Sequence, residues 1–256
     1  MIVTDLDRTL LRPDKTLSAY TVDVLHACQA KGLLVVFATA RSEDASKRFV
    51  AAVQPDGLVS NGGALVRTGD KVVYRNTMDS GLISRLLRRL LDEPSVDYIT
   101  VDAEDGYFVN KPVDESDPLW ADYLPALPMD FSQGLASAAY AVAVEMADNA
   151  AAHAVAADFP EIAIIPFSGE GWYSYAKKGA DKWSGVAALA AHLGIAHEEI
   201  VTFGDDFNDI EMLRHSGRGI AVANAIDEVK AVADALCAGN DMDGVARWLE
   251  DALLGS

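Results

Sequence analysis

The chain has 256 residues, half of them hydrophobic, a length and apolar content that support one large or two modest domains with a sizeable core and exclude a disordered chain. With 39 acidic against 21 basic side chains, a net charge of −18 and no basic run, it is a poor bulk partner for nucleic acid or an anionic membrane, so an anionic substrate has to be met by a local cationic site or a metal. Cys28 and Cys237 lack CxxC spacing, no apolar run reaches the roughly 18 residues of a membrane span, and Asp5, Asp7 and Arg8 interrupt the stretch a signal peptide needs, which together predict a soluble, unprocessed, cytoplasmic protein.

Met1 to Thr4 form an apolar strand that runs straight into Asp5. Ser18 opens a helical pattern with Val22, Leu25 and Cys28 inward, closed by Gly32. Leu33 to Ala38 is a continuous apolar run of strand length, suited to a parallel strand buried on both faces, so the chain begins with a β-α-β unit. A helix over about Ser42 to Val53, a strand around Leu58 to Ser60 and a turn at Asn61-Gly62-Gly63 lead into two hairpin-like strands, 64–68 and 71–76.

The alternation then pauses. Residues 81–93 form a charged amphipathic helix, followed by short strands at Tyr98 to Asp102 and Tyr107 to Asn110 and a Pro-containing stretch through Pro128. A strand over 139–146, a helix over 151–159 and strands over 161–167 and 171–176 complete an α+β insertion of about 100 residues, the size of a separate domain. From Lys182 the alternation resumes, with a helix to His192 stopped by Gly194, a strand Ile200 to Phe203, a helix Asp209 to His215, a strand Gly219 to Ala223, and helices Ile226 to Ala233 and Asp243 to Leu253. The two ends read as halves of one α/β fold, a Rossmann-like three-layer core with a parallel sheet over 1–77 and 179–256, with an inserted α+β domain over 78–178.

Chemistry gathers where strands end, the crevice side of an open α/β sheet. Asp5 and Asp7 follow the first strand two residues apart. If the extended geometry persists, their carboxylates project together and repel unless a cation or a shared proton intervenes, and a hard divalent ion such as Mg²⁺ suits oxygen ligands of this kind. The same residues also suit a DxD turn capping a helix. Thr39, Ala40 and Arg41 end the second strand, where a hydroxyl and backbone N–H groups can hold an anion with Arg41 as helper, or where Ser42 simply caps the next helix. After the strand at Ile200, the run Gly204-Asp205-Asp206-Phe207-Asn208-Asp209 offers three acids and an amide, more than a helix cap needs. Lys182, at a helix start, is mildly unfavourable against the helix dipole unless it faces an anion.

In DLDRT at Asp5 to Thr9, TAR at Thr39 to Arg41, NGG at Asn61 to Gly63, Lys182 twelve residues before Gly194, and GDDFND followed by IAVANA, the chain resembles the haloacid dehalogenase-like hydrolase superfamily, specifically its Cof-type and sugar-phosphate phosphatase branch. The resemblance covers both core halves and, more loosely, the insertion. It implies a Mg²⁺-dependent phosphatase acting on small phosphomonoesters, sugar phosphates or related metabolites. Asp5 would be the nucleophile that forms an aspartyl phosphate, and Asp7 the acid and base. The carboxylate of Asp5, the backbone carbonyl of Asp7 and Asp205 would hold the metal, with Asp209 as an additional or outer ligand. Thr39, Lys182, Asn208 and the backbone N–H groups of Leu6 and Ala40 would grip the phosphoryl group. The insertion would act as a cap, with Glu145, Trp172 and Tyr173 offering a sugar hydrogen bonds and an aromatic face.

Two positions depart from the family pattern: Arg8 and Ala40 stand where glycine is usual, and Arg8 would either complement substrate charge or point to solvent. The rival readings are a phosphomutase or phosphotransferase of the same fold, and a non-catalytic phospho-acceptor signalling protein. The Tyr173-x-x-x-Lys177 spacing has no accompanying GxGxxG, and the five histidines show no metal-ligand pairing. A monomer or homodimer is expected.

Overall fold

The structure, a computed structural model, describes residues 1–116, 120–123, 125–169 and 171–255. In chain order the first stretch holds β1 (Ile2–Thr4), α1 (Ala19–Ala30), β2 (Val35–Ala38), α2 (Glu43–Val53), β3 (Gly57–Ser60), β4 (Leu65–Thr68) and β5 (Lys71–Arg75). The middle stretch holds α3 (Ser80–Leu91), β6 (Val96–Ala103), β7 (Gly106–Val109), β8 (Leu127–Pro128), β9 (Ala139–Met146), α4 (Asn149–Ala157), β10 (Ile162–Pro166) and β11 (Trp172–Lys177). The last holds α5 (Lys182–Leu193), β12 (Val201–Gly204), α6 (Ile210–His215), β13 (Arg218–Val222), α7 (Asp227–Lys230), β14 (Ala235–Cys237) and α8 (Gly244–Leu249). These elements form two compact units, Met1–Tyr74 with Asp181–Ser256, and Arg75–Ala180.

The first unit is built on a sheet of order β14-β13-β12-β1-β2-β3-β4-β5, parallel from β14 to β3 and antiparallel from β3 to β4. Strands β1, β2 and β3 are buried throughout, as the apolar run into Ala38 requires, with α1 packed on β2, α2 and α8 and with α5 packed on β3 and α6. Helix starts follow hydroxyl and carboxylate caps: Ser18 accepts from the Thr21 N–H, Ser42 from that of Ala45, and Asp181 from that of Ser184. Helix α5 ends at Gly194 in the left-handed conformation.

Three details differ from the sequence reading. Val22 is only half-buried, since the 3.6-residue period places Thr21, Val24, Leu25 and Cys28 inward. The helix expected over 226–233 is a single turn, Asp227–Lys230, because the chain must turn back to add β14 to the sheet edge. That three-residue strand carries no alternation long enough to read.

The second unit pairs its strands in the order β10-β11-β9-β6-β7-β8. Leu82, Ile83, Leu86, Leu87 and Leu90 of α3 recur at helical spacing and meet Ile99, Val101, Val142, Val144 and Tyr175 from one face of the sheet. Among the described residues no helix is long and apolar enough to cross a membrane.

Candidate active site

Register decides what shares an edge. Thr4 lies opposite Phe37 of β2 on one side and Phe203 of β12 on the other, all parallel, so Asp5, Thr39 and Asp205 leave the sheet at nearly one height. The Asp5 N–H donates to the Phe203 carbonyl at 3.0 Å and the Thr39 N–H to that of Val59 at 2.8 Å, carrying the ladder to the rim.

At that rim, Asp5, Asp205 and Asp209 each offer a carboxylate oxygen, and the three oxygens lie within 4.8 Å of one another. All three acids are buried, as is Lys182, only 3% exposed, whose Nζ donates to Asp5 Oδ1 and Asp209 Oδ1 at 2.6 Å each. The unfavourable helix-start cation is thereby explained, because Lys182 faces two anions. Asp209 Oδ2 accepts from the backbone N–H groups of Asp205 and Asp206, which holds the acidic loop shut. This fold-back needs Gly204: a Cβ there would stand 2.4 Å from the Cβ of Asp209.

With all three carboxylates ionised, the single ammonium would leave the cluster two negative charges in excess. Burial, only partly countered by Lys182 and aggravated by Asp209 and Asp205, holds Asp5 well above the ordinary carboxylate range. Burial and the neighbouring Asp209 push Asp205 up to about 7. Burial opposes the charge on Lys182, yet Asp209 and Asp5 outweigh it and keep the ammonium protonated beyond its usual range. Asp205 Oδ1 accepts from Thr9 Oγ1 at 2.6 Å, while Oδ2 is buried with no hydrogen-bond partner. An orphaned anionic oxygen among crowded acids is the donor chemistry that a hard divalent cation satisfies.

Asp7 does not join this cluster, and the expectation that its carboxylate projects with that of Asp5 is corrected. The extended geometry breaks at Arg8, whose φ is +62°, and Asp7 turns to Arg41. Arg41 Nε donates to Asp7 Oδ2 at 2.6 Å and Nη2 to Oδ1 at 2.7 Å, a two-point fork. Arg41 also donates to the Ala45 carbonyl and lies over the Phe49 ring. It is therefore buried and committed to Asp7, and the anion-helper role expected of it is replaced by that of a clamp.

Thr39 and its loop are fixed by the Asn61-Gly62-Gly63 turn, which joins β3 to β4 and sits against three parts of the rim at once. Gly62 N–H donates to the Thr39 carbonyl at 3.0 Å and Asn61 N–H to that of Arg41 at 2.8 Å. A Cβ on Gly62 would approach Asn208 Nδ2 at 3.7 Å, and one on Gly63, whose φ is +106°, would collide with the Asp181 carbonyl. Asn208 Oδ1 is buried without a partner, a second unsatisfied polar atom beside the acids. Leu6 is buried directly after Asp5, and Ala40 is exposed at the loop's tip.

Two contributors escaped the sequence reading. Thr9 bonds Asp205 across 196 positions, and Asn224 donates to the Arg8 carbonyl at 2.7 Å while its own Oδ1 accepts from the Asn240 N–H. Both lie inside motifs quoted for their acids or glycines, and only a hydroxyl after DLDR and an amide after IAV could have signalled them.

In the second unit, Trp172, Glu145 and Tyr98 form one row across β11, β9 and β6, with the Trp172 and Tyr98 ring centroids 6.1 Å apart. Tyr173 is a correction. The two-residue alternation turns it to the opposite face, where it is 8% exposed, packs in the core beneath the helices and donates to Asn149 Oδ1 at 3.2 Å.

A family model described as haloacid dehalogenase-like hydrolase matches residues 2–249. The 5-amino-6-(5-phospho-D-ribitylamino)uracil phosphatase YitU of Bacillus subtilis is 27% identical over 262 residues, covering 98% of this chain and 96% of that protein. The chloroplastic endoribonuclease YBEY of Arabidopsis thaliana is 31% identical over 276 residues, covering 96% of this chain but 45% of that protein, so the chain spans under half its length. Among solved structures, the HAD subclass IIB sugar phosphatase BT4131 is similar with a TM-score of 0.84 at 25% identity, covering 98% of this chain and 97% of that one. SMU.1108c of Streptococcus mutans UA159 shares the fold at a TM-score of 0.87 and 22% identity, over 99% of this chain and 98% of that one.

Proposed function

Because the chain belongs to the haloacid dehalogenase-like hydrolases and is a phosphatase, we propose that it hydrolyses small phosphomonoesters, sugar phosphates or related metabolites, through an aspartyl phosphate on Asp5. The observation that carries this reading is the buried Lys182 ammonium joined at 2.6 Å to Asp5 and Asp209 beside the orphaned Asp205 oxygen. A packing role accounts for none of these charges, and a site that must surround a phosphoryl group with cations and donors accounts for all of them.

Asp5, Asp205 and the Asp7 backbone carbonyl would hold Mg²⁺, with Asp209 behind them; the ion, when bound, offsets the charge on the transferring phosphoryl group. Lys182, Thr39, Asn208 and the backbone N–H groups of Leu6 and Ala40 grip the phosphoryl oxygens. Asp5 attacks phosphorus in line, the phosphorus–oxygen bond to the alcohol breaks, and Asp7 gives its proton to the departing oxygen. Asp7, now a carboxylate, takes a proton from water as that water attacks the aspartyl phosphate, which restores Asp5 and releases inorganic phosphate. The Arg41 fork holds the Asp7 side chain in one orientation for both steps.

The sugar-phosphate reading is supported by the named activity of BT4131 and, for a phosphorylated ribityl compound, by that of YitU. The row of Trp172, Glu145 and Tyr98 offers rings and a carboxylate to a polyhydroxylated group, and we assign substrate contact in the second unit to Trp172 and Glu145. The test is release of inorganic phosphate from a panel of sugar, nucleotide and cofactor monoesters with Mg²⁺, with Asp5→Asn as control. Release from at least one ester, lost on chelation and lowered about 10⁴-fold or more in the variant, is expected. Undiminished release by Asp5→Asn, or no release from any ester, contradicts the reading, and phosphate retained on an organic acceptor would mark a phosphotransferase.

A further inference from the structure

Arg8 stands in the left-handed region, with φ +62° and ψ 0°, where glycine is at ease and a long side chain is not. Its backbone is pinned there by Asn224, whose Nδ2 donates to the Arg8 carbonyl at 2.7 Å and whose Oδ1 is itself fixed by the Asn240 N–H at 3.0 Å. The consequence is a directed side chain. Arg8 Nε lies 3.5 Å from Asp205 Oδ2, the same buried oxygen that no hydrogen bond satisfies. The other Asp205 oxygen is taken by Thr9, and Lys182 is committed to Asp5 and Asp209, so neither relieves this oxygen.

The two partners differ in freedom. The Arg8 side chain is 44% exposed and that of Asp205 is 2% exposed. A guanidinium reaching inward from solvent can leave without disturbing the core, whereas the carboxylate cannot follow it. A divalent ion bound at Asp205 would meet a like charge on Arg8 at the same oxygen, and the two cannot both be close to it.

We infer that Arg8 is a built-in, exchangeable counter-cation for Asp205, which competes with the divalent metal for that oxygen and lowers the metal affinity of the site. This rests on the metal assignment made under the proposed function. Arg8 compensates part of the cluster's excess negative charge while the metal is away, and metal binding displaces it towards solvent.

The experiment is calorimetric titration of Mg²⁺ into substrate-free wild type, Arg8→Gln and Arg8→Gly. Arg8→Gln keeps a long side chain and the strained backbone but removes the charge; Arg8→Gly removes the charge and relaxes the backbone, which guards against a misfolded variant. Both should bind Mg²⁺ roughly three- to tenfold more tightly than wild type, the range expected of a half-exposed ion pair at a buried acid. The rise in melting temperature from chelated to Mg²⁺-saturated protein should also be larger in both variants. Equal or weaker Mg²⁺ binding by the variants, with wild type binding normally, overturns the role of Arg8 alone. Absence of Mg²⁺ binding in all three proteins overturns the metal assignment and this inference with it.

Discussion

The two units bury different things. Among the described residues, the buried polar and charged side chains include Asp5, Thr39, Arg41, Lys182, Asp205 and Asp209 in the first unit, while the second contributes only Thr100. The second unit solves the ordinary problem of an amphipathic sheet covered by amphipathic helices. The first carries crowded carboxylates, an unsatisfied oxygen and a left-handed arginine at one sheet edge, each of which lowers stability taken alone. Such concentration teaches where function lies, since strain of this kind survives only where chemistry requires it.

Replacing Lys182 with methionine breaks that comparison most severely. It leaves three buried carboxylates without their ammonium, and metal-free protein should lose about 3–5 kcal/mol in urea denaturation. Mg²⁺ should restore part of this loss, while phosphate release stays abolished. A variant as stable as wild type in chelator would show that the acids do not depend on Lys182.

The matching change in the second unit is Leu86→Ala, in the core beneath α3. Deleting this fully buried side chain should cost about 2–5 kcal/mol by denaturant titration, yet turnover measured well below the transition should stay close to wild type. A fall in turnover as large as that of Lys182→Met would erase the division of labour between the units.

Arg41→Ala sharpens the contrast within the first unit. Without its clamp, Asp7 is no longer held in one orientation and should protonate a leaving alcohol less well, so hydrolysis of an alkyl phosphate falls about 10²-fold. Hydrolysis of p-nitrophenyl phosphate, whose leaving group needs no proton, should fall far less, and Arg41→Lys should recover only part of the difference because a lysine cannot form the fork. Equal losses on both substrates would make Arg41 a packing residue.

Much of this was legible in the sequence, for reasons that differ by region. The apolar run into Ala38 and the acids after β1 and β12 mark parallel strands ending at a crevice, because parallel register forces their ends to one edge. Orientation was not legible. Asp7 and Arg41 are 34 positions apart, and only the break at Arg8 decides that they face each other rather than Asp5. Trp172 and Tyr173 look alike as aromatic neighbours, but strand alternation sends them to opposite faces. The glycines of the Asn61 turn read as hairpin chemistry, whereas their close approach to Asp181 and Asn208 is a tertiary fact.

The central claim, that the Asp5 carboxylate itself carries the phosphoryl group, is tested most directly by mixing enzyme with a hydrolysed monoester and Mg²⁺, quenching in acid during turnover, and mapping the phosphorylated peptide by mass spectrometry. A phosphoryl group on Asp5, and its absence from Asp5→Asn, is the result expected. Turnover with the label on another residue, or with no covalent label under conditions where the second step is made rate-limiting, would contradict it.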